Sequence, residues 1–466
     1  MIIYVSHMII VMIHYIYLEL IIENLYRYWN MYIAYSVQCA KLIMLFLHAN
    51  QNQPSPMKKI SIVLFLVALS VISTAQEKKF GLTLSGYVKT DAFYDTRQCS
   101  AANGLREGHF FLFPDNVLYD ADSNDLNDNP AFNILSIQTR LTGNITGPDA
   151  FGAKTSGLVE TEFYGTSDAD ISGFRLRHGF VKLNWEKSEL LIGQTWHPMF
   201  PVEAFAQTLS VNTGSPFVPF SRNNQVRFGY KTGKFTTYAT AWVQRDIAST
   251  GPDGTSTKYM RNSGLPGLNL RTVATMSDKV QFGLGADFKT LRPELKTAAN
   301  YATDATISSL SACGWFKFKS DKLTISAMGT YAQNATDLLM AGGYAVSAIT
   351  DTVREYKTYT NLTTAAAYLD LGTNGPKWKF GVFGGFSKNL GADENINGGA
   401  IYARGSNIDL IYRVSPRVSC TVEKLTLGAE LEYTTAAYGT IQASGKVTNT
   451  SDVSNIRALL CAIYKF

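Results

Sequence analysis

Apolar and polar residues alternate with a period of two in many segments of the chain beyond residue 80. The clearest segment carries apolar residues at every second position: Val280, Phe282, Leu284, Ala286 and Phe288. The segments 226–230 and 425–434 alternate in the same way, and in another Leu135, Ile137 and Leu141 share the apolar face. A period of two places alternate side chains on opposite faces of a β-strand, so the pattern predicts an all-β chain.

Short turns and long polar loops separate the predicted strands. The turns fall near residues 187, 233, 278 and 321, whereas 96–130 and 334–355 are long loops. A soluble sandwich can show the same alternation along its strands. However, short periplasmic turns on one rim and long extracellular loops on the other are typical of a transmembrane antiparallel β-barrel. After residue 75 no segment approaches the ~20 apolar residues of a membrane helix.

The positions of aromatic residues and the end of the chain both support the barrel prediction. Aromatic residues lie near predicted strand ends, as in the interfacial girdles of such barrels: Tyr94, Tyr164, Trp185, Tyr230, Tyr331 and Tyr433. The last strand places alternate residues on one face: Ile456, Ala458, Leu460, Ala462, Tyr464 and Phe466. A lipid-facing terminal Phe resembles the assembly signal of bacterial outer-membrane proteins. We therefore predict that Phe466 is an assembly signal and that the protein lies in the bacterial outer membrane.

The segments from about Gly81 onward predict about 16 strands, with fourteen or eighteen as the alternatives. In this count the third long loop covers residues 197–221. Its apolar, Pro-containing sequence is poorly suited to lie exposed in water. We predict that it folds into the barrel and narrows it, with Glu203, Phe205 and Gln207 at the constriction.

The N-terminal quarter is predicted to lie outside the barrel. Residues 57–75 begin with Lys58 and Lys59, continue with an apolar stretch and end in small residues, which is the pattern of a secretory signal peptide. Such a signal works at a true N-terminus, so residues 1–56 are interpreted as an upstream mis-start. The alternative is a membrane anchor near residues 2–22. The remaining residues, 76–466, are predicted to form a single barrel domain.

Composition excludes several classes of protein. The 466 residues include 42 Lys and Arg and 37 Asp and Glu, and 17% of residues are charged. This balance is typical neither of a disordered chain nor of a nucleic-acid-binding protein. The 25 Tyr, 26 Phe and 37 Gly residues favour β-structure.

Five sequence stretches resemble the DcaP-like outer-membrane porins in order and spacing. They are GYVKTDAFYD (86–95), FRLRHGFVKL (174–183), LIGQTW (191–196), QTLSVNTG (207–214) and RNNQVRFGY (222–230). The resemblance covers the first half of the barrel well and the second half only as a general porin pattern. It implies a homotrimeric diffusion channel for small, mostly anionic solutes such as dicarboxylates. The coiled-coil extension of some members has no counterpart, because about five residues separate Ala75 from the first strand.

Charged residues at inward positions are the candidates for lining a pore. Those assigned to the pore and its selectivity are Lys89, Arg140, Arg175, Arg177, Arg227, Glu160 and Glu162. Guanidinium groups suit carboxylate solutes because they bind them in bidentate fashion. The four arginines could therefore form a constriction against the third loop, or they could pair with Glu160 and Glu162 in a supporting ladder. Glu430 is expected to lie far from this zone.

The sequence predicts no catalytic residue, metal site or cofactor. His178 is expected to face outwards, towards lipid or a neighbouring subunit, and His109 and His197 are interpreted as ordinary loop residues. The stretch DADSNDLND (120–128) resembles a calcium loop but lacks Gly at the sixth position and Glu at the twelfth, so a solvated loop is favoured over a calcium site.

Other functions of outer-membrane barrels are less consistent with the sequence. A barrel enzyme would need a nucleophile with a positioned base, and none could be assigned. An energy-coupled transporter would need a plug domain before its barrel. A receptor or adhesin barrel stays open as an alternative, because long loops serve that purpose too.

Overall fold

The computed structural model describes residues 80–99 and 107–466. These residues belong to one compact unit, built around a closed antiparallel β-barrel of 16 strands, as predicted. The predicted upstream segment (1–56) and signal peptide (57–75) lie outside the described residues.

The elements are numbered in chain order. The strands are β1 (Gly81–Asp95), β2 (Ala131–Leu135), β3 (Arg140–Thr146), β4 (Lys154–Glu162), β5 (Arg175–Asn184), β6 (Ser188–Trp196), β7 (Arg222–Thr232), β8 (Phe235–Val243), β9 (Thr250–Gly251), β10 (Gly254–Thr255), β11 (Gly267–Thr275), β12 (Val280–Leu291), β13 (Ile307–Lys319), β14 (Leu323–Gln333), β15 (Gly342–Asp351), β16 (Tyr356–Thr373), β17 (Trp378–Ala392), β18 (Ile401–Arg404), β19 (Ile408–Val422), β20 (Leu425–Ile441) and β21 (Val447–Lys465). The helix α1 (Lys258–Ser263) and the 3₁₀ turns Asp168–Asp170 and Ala335–Leu338 lie in loops.

The 21 strands occupy sixteen positions around the barrel wall, because some share a position and others lie outside the wall. β2 and β3 share one position, since both pair with β1. The other four strands are not wall strands. β9 and β10 form a small separate hairpin. β15 pairs with β18 and with the N-terminal end of β16. The barrel closes where β1 pairs with β21, so the wall has no free edge.

The terminal residue takes part in this closure. The backbone N–H of Phe466 donates to the carbonyl of Gly86, and the N–H of Gly86 donates to the carbonyl of Phe466, both at 3.2 Å. Gly86 is required at this position, because a Cβ there would lie 2.3 Å from the carbonyl oxygen of Arg140 and 2.8 Å from the Phe466 ring. The Phe466 side chain itself lies exposed on the outer surface.

The outer surface of the wall is apolar. Large side chains that face outwards and lie exposed include Leu84, Ile134, Val181, Phe228, Leu270, Leu284, Leu310, Phe380, Leu427 and Leu460. In a soluble protein so many exposed apolar residues would be unfavourable, whereas acyl chains of a bilayer accommodate them. No helix within the described part of the chain is long and apolar enough to cross a membrane.

The strand ends distinguish the two rims. Turns of a few residues lie at one end, at 147–153, 185–187, 233–234, 276–279, 320–322, 374–377 and 423–424. The connections at the other end are mostly longer: 96–130, 163–174, 197–221, 244–266, 292–306, 334–355, 393–407 and 442–446. The short-turn rim is the periplasmic one in barrels of this type.

The predicted face of one strand is wrong. Leu135 and Ile137 were expected on the outer face with Leu141, yet Ile137 is buried inside the barrel and Leu135 packs against the same interior cluster. A tight turn separates β2 from β3, in which the N–H of Thr139 donates to the carbonyl of Ser136. The turn changes the in–out order, because a shift by an odd number of residues exchanges the two faces.

The closing interaction yields a prediction about assembly. Deleting Phe466 removes two backbone hydrogen bonds and the lipid-facing ring, whereas Phe466→Ala removes the ring alone. We expect both changes to lower the yield of heat-modifiable, folded barrel sharply and Phe466→Tyr to preserve it. Wild-type yields for the deletion and the Ala variant on unheated electrophoresis gels would contradict the role of Phe466.

Candidate functional site

The third loop (197–221) lies inside the barrel. It leaves the wall after β6 and returns at β7, and side chains along it are buried, among them Met199, Phe200, Ala204 and Phe217. Backbone groups of a buried loop need hydrogen-bond partners, because an unpaired buried N–H or C=O group is costly. The backbone groups of the wall strands cannot serve, since they already pair with each other. Side chains of the opposite wall supply them.

Two glutamates of β20 hold the middle of the third loop. The carboxylate of Glu430 accepts hydrogen bonds from the N–H groups of Leu209, at 2.5 Å, and Ser210, at 2.8 Å. Glu432 accepts a hydrogen bond of 2.7 Å from the side-chain amide of Asn212. The expectation that Glu430 lies far from the constriction is therefore wrong, because its strand stands across the lumen where the loop arrives.

Residues of other strands hold the loop on either side of this point. Asp370 on β16 accepts a hydrogen bond of 3.0 Å from the N–H of Gln207. Arg413 on β19 donates one of 3.0 Å to the carbonyl of Ser215. Arg271 on β11 forms an ion pair with Glu203. These contacts fix the loop across the width of the barrel.

The three residues predicted at the constriction occupy different environments. Glu203 is bound to Arg271, as described above. Phe205 borders the cavity described below and packs edge-on against Phe200, with 5.6 Å between ring centroids. The side chain of Gln207 is exposed, although its backbone is anchored.

Two further loop segments fill the lumen, and neither was predicted from the sequence. In the first loop, Phe110, Phe111, Leu112 and Phe113 are buried, and Arg413 donates a hydrogen bond of 2.9 Å to the carbonyl of Leu112. An apolar run inside a polar loop is the signal that could have revealed this segment.

The sixth loop (334–355) supplies the second of these segments. Its Asp337 is buried, forms an ion pair with Lys289 and accepts a hydrogen bond of 3.0 Å from Gln244. The carbonyl of Leu338 accepts a hydrogen bond of 2.8 Å from the N–H of Phe220 in the third loop. The sixth loop thus supports the third from behind.

A cavity of about 400 Å³ lies between the third loop and one wall of the barrel. The wall side is formed mainly by β1, β3, β4 and β5, with end residues of β6, β7 and β21, and the third loop contributes residues 205, 208–211, 213 and 220. The cavity lining includes six of the residues predicted to line a pore: Lys89, Arg140, Arg175, Arg177, Glu160 and Glu162. Arg227 does not border it.

Three arginines and two glutamates form one ion-paired cluster on this wall. Arg140 lies 3.1 Å from Glu162. Arg175 approaches the same carboxylate with Nη2 at 2.7 Å and Nε at 3.1 Å. Arg177 bridges the two glutamates, with its Nε 2.8 Å from Glu160 and its Nη1 2.8 Å from Glu162. The ladder of pairs expected as one alternative is therefore present, and it lines the cavity; the constriction stays a prediction.

Arg222 also belongs to this cluster, although it was not among the residues predicted from the sequence. It is the first residue of β7, is 1% exposed, and its Nη2 lies 2.6 Å from Asp246. Its guanidinium also lies over the ring of Trp196, 5.0 Å from the centroid. Within the described residues no hydrogen-bond partner is found for its Nε and Nη1 atoms. Four guanidinium groups thus meet three carboxylates at the cavity.

Arg227 lies outside this cluster and its cavity, so its place in the pore stays a prediction. It lies five residues further along β7, where it faces Glu189 at 3.7 Å and covers the ring of Tyr238. Lys89, in contrast, borders the cavity and donates a hydrogen bond of 2.7 Å to the carbonyl of Leu209 while pairing with Asp91 at 3.1 Å.

The outward placement of His178 is also wrong. An irregularity in the pairing of β4 with β5 falls between Glu160 and Thr161. The irregularity shifts the alternation, and His178 turns into the lumen, 3.8 Å from Glu160 and edge-on to Trp196. It therefore borders the cavity together with the arginines.

The two loop histidines are buried. The Nε2 of His109 lies 2.8 Å from a carboxylate oxygen of Asp91, and burial lowers its pKa in spite of that neighbour. His197 packs edge-on against Trp242, and burial lowers its pKa to about 3. Both side chains contribute to holding the inserted loops.

The acidic stretch of the first loop is organised by its own chain. The side-chain amide of Asn124 donates a hydrogen bond to Asp120 and lowers its pKa, and the N–H groups of Asn124 and Asp122 do the same. Asp125 forms an ion pair of 2.7 Å with Arg97. In the described residues, no group of three or more His, Cys, Asp or Glu side chains is arranged to hold a metal ion.

A closed barrel with an apolar outer belt, short turns on one rim and a loop folded into its lumen has the architecture of outer-membrane porins. The protein lies in the bacterial outer membrane, because a closed wall with this exposed apolar belt requires a bilayer around it.

Comparison with solved structures agrees with this fold. The outer membrane channel DcaP of Acinetobacter baumannii matches with a TM-score of 0.62 and 18% identity, over 84% of this chain and 99% of that one. The anion-selective porin from Comamonas acidovorans matches with a TM-score of 0.50 and 11% identity, over 83% and 100%. OmpT, an outer membrane protein of Vibrio cholerae, matches with a TM-score of 0.50 and 12% identity, over 84% and 99%.

These likenesses establish a shared fold. The predicted resemblance to DcaP-like porins is confirmed at that level. No family model matches the chain, and no curated protein matches it.

The anchoring of the third loop yields a prediction. In Glu430→Ala the N–H groups of Leu209 and Ser210 lose their acceptor, which costs about 1–3 kcal/mol for each buried group left unpaired. We expect a more mobile loop and therefore larger open-channel current fluctuations in planar bilayers. Asp409→Ala, which breaks a pair with Lys388 away from the loop, is the control. Equal current noise in the two variants would show that Glu430 does not hold the loop.

Proposed function

We propose that the protein is a porin, a water-filled channel for passive diffusion of small hydrophilic solutes across the outer membrane. The observation that supports this most directly is the cavity between the third loop and the wall of β1, β3, β4 and β5. Loops fill much of the remaining lumen, so a solute crossing the barrel would pass along this wall. Fixed charges would then act on it at close range, where salt screens them least.

The channel prefers anions in this proposal. Arg140, Arg175, Arg177 and Arg222 outnumber the carboxylates of Glu160, Glu162 and Asp246 at the cavity, and Lys89 borders it as well. Arg140 and Arg175 are partly exposed at the cavity, where a guanidinium group suits the carboxylate of a solute because it can bind it in bidentate fashion. Dicarboxylates are the solutes implied by the resemblance to DcaP-like porins, and one protein of the same fold is an anion-selective porin.

No catalytic role is part of this proposal. The three histidines among the described residues are used for packing and pairing: His109 with Asp91, His178 with Glu160 and His197 with Trp242. The carboxylates of the cavity are engaged by arginines, which favours a structural and electrostatic role over general base catalysis.

Selectivity tests the proposal. We expect Arg140→Gln with Arg175→Gln to shift the reversal potential in a salt gradient towards cation preference, because two guanidinium groups would then face three carboxylates. These two arginines are chosen because they are partly exposed, at 18% and 15%, and replacing them disturbs folding less than replacing Arg177. The measurement is made on single channels in planar bilayers.

Arg227→Gln is the matched control for this experiment. It removes the same kind of charge from the nearby strand β7, outside the cavity, and its reversal potential should stay close to that of the wild type. Unchanged selectivity in the double variant, with folding verified by heat-modifiability, would mean that the cluster supports the wall without controlling the ions.

We also propose that the barrel is a homotrimer, as the resemblance to DcaP-like porins implies. Native mass spectrometry in a mild detergent should then show three copies of the chain in one complex. A spectrum containing monomer alone, from protein that conducts in bilayers, would reject the trimer and leave the channel function standing.

A further inference from the structure

Several wall strands carry a lysine at their short-turn end, and these lysines face the lumen. Lys379 stands between Trp378 and Phe380, whose side chains lie exposed on the outer surface, so its own side chain belongs to the inner face. Lys465 also alternates with outward-facing aromatic residues, and it borders the interior cavity. By the same alternation, the inward lysines of this end, here called the vestibule lysines, are Lys154, Lys231, Lys317, Lys319, Lys379 and Lys465.

The lumen is open to water at this end. All vestibule lysines except Lys317 are exposed although they point inwards. Further from the rim, inward residues such as Arg413 and Arg457 are buried beneath the first loop. The space enclosed by the wall at the short-turn end is therefore an open vestibule.

This vestibule leads to the cavity beside the third loop. Asp370, one of the anchors of that loop, pairs across the sheet with Phe383, which lies four residues further from the rim than Lys379. The loop thus crosses the barrel deeper than the vestibule lysines. Lys465 connects the two spaces, because it borders the cavity from the short-turn end.

The neighbours of the vestibule lysines across the sheet are uncharged. On β14 the residue opposite Lys319 is Thr324. On β19 the residue opposite Lys379 is Ser419. Over residues 80–99 and 107–466 no ion pair of a vestibule lysine is found, whereas the arginines of the cavity wall are each paired with a carboxylate. A supporting ladder of charge pairs therefore does not account for these lysines.

The inward carboxylates of the same wall end are already engaged. Glu189 lies 2.6 Å from Lys182 and 3.7 Å from Arg227. Asp370 lies 2.7 Å from Arg417. These carboxylates leave the positive charge of the vestibule lysines uncompensated.

The short turns of the rim add little net charge. In four of them an acidic residue directly precedes a lysine, as in Glu186 and Lys187 or Asp321 and Lys322. The excess of positive charge at this end therefore comes from the wall lysines that face the lumen.

We propose that the vestibule lysines form a second anion filter, which concentrates small anions at the short-turn mouth of the channel. A water-filled space lined by one sign of charge and walled by protein focuses the field and raises the local concentration of counter-ions. An ammonium group is a point charge without the planar fork of a guanidinium group, so the vestibule ranks anions by their charge and not by their shape. The proposal rests on the barrel being a channel, but not on the arginine cluster selecting anions.

The two filters differ in their response to salt. The vestibule lysines lie in water, where the screening length falls from ~10 Å at ~0.1 M salt to ~3 Å at ~1 M. The arginines of the cavity are largely buried, and salt screens buried charges much less. The vestibule therefore acts in dilute salt and is lost in concentrated salt.

Reversal potentials of single channels in potassium chloride gradients test this proposal. In Lys231→Gln with Lys319→Gln and Lys379→Gln, we expect the ratio of chloride to potassium permeability to fall about threefold in a gradient near ~0.1 M, a modest share of what such a field can supply. Near ~1 M the variant should match the wild type, because its charges are screened there.

The control variant combines Lys296→Gln, Arg354→Gln and Lys446→Gln, which removes three exposed cations from the long-loop end. Its permeability ratio should stay close to that of the wild type at both salt concentrations. Folding of every variant is verified by heat-modifiability.

Three outcomes would overturn the proposal. A wild-type ratio in the lysine variant near ~0.1 M, while Arg140→Gln with Arg175→Gln shifts it, would leave the arginine cluster as the filter and the channel function intact. Equal losses in the lysine variant and its control would show that position in the vestibule does not matter. A folded wild-type barrel that conducts no ions would reject the channel and the vestibule together.

Discussion

The structure depends on one constraint: a loop placed inside a closed barrel must find hydrogen-bond partners that the barrel backbone cannot provide. Every wall strand uses its own N–H and C=O groups in pairing with its neighbours. The third loop is therefore held by side chains, above all by Glu430, whose carboxylate accepts the hydrogen bonds of Leu209 and Ser210. Buried carboxylates and guanidinium groups in the lumen are a consequence of folding the loop inwards.

The same requirement accounts for the uneven use of the lumen. Arg413 and Arg457 are fully buried because each donates to carbonyl groups of the first loop, at Leu112 and His109. The first loop fills the lumen beside the strands that carry these two arginines. On the wall of β3, β4 and β5 the arginines instead pair with Glu160 and Glu162 and keep contact with a cavity. Charges of one chemical type thus serve as anchors on one side and as the lining of a passage on the other.

The sequence predicts the wall well, because alternation, turn lengths and the terminal Phe466 all report on one physical feature, a sheet with lipid on one side. It predicts the inward third loop for a related reason, since an apolar loop must be buried. Alternation fails where the register changes. The turn at Ser136 reverses the face of Ile137, and the irregularity at Glu160 turns His178 inwards. A single irregular residue leaves the composition of a segment unchanged, so no pattern reveals it.

The content of the cluster was also only partly predictable. Arg222 was missed because it stands at the start of β7, where no alternation yet defines a face. Arg227 was included because it has the correct face, although depth along the strand decides whether a residue meets the cavity. Depth depends on the tilt and stagger of all sixteen strands, which a local pattern does not contain.

The central claim is that solutes cross the barrel between the third loop and the arginine wall. Thr208 borders this passage from the loop side, so Thr208→Cys allows it to be narrowed by a bulky thiol reagent during planar-bilayer recording. The account predicts discrete conductance steps for the wild type and for the variant, with the reagent lowering the current of the variant alone. Absence of any conductance, or a current in the modified variant equal to that before modification, would contradict it.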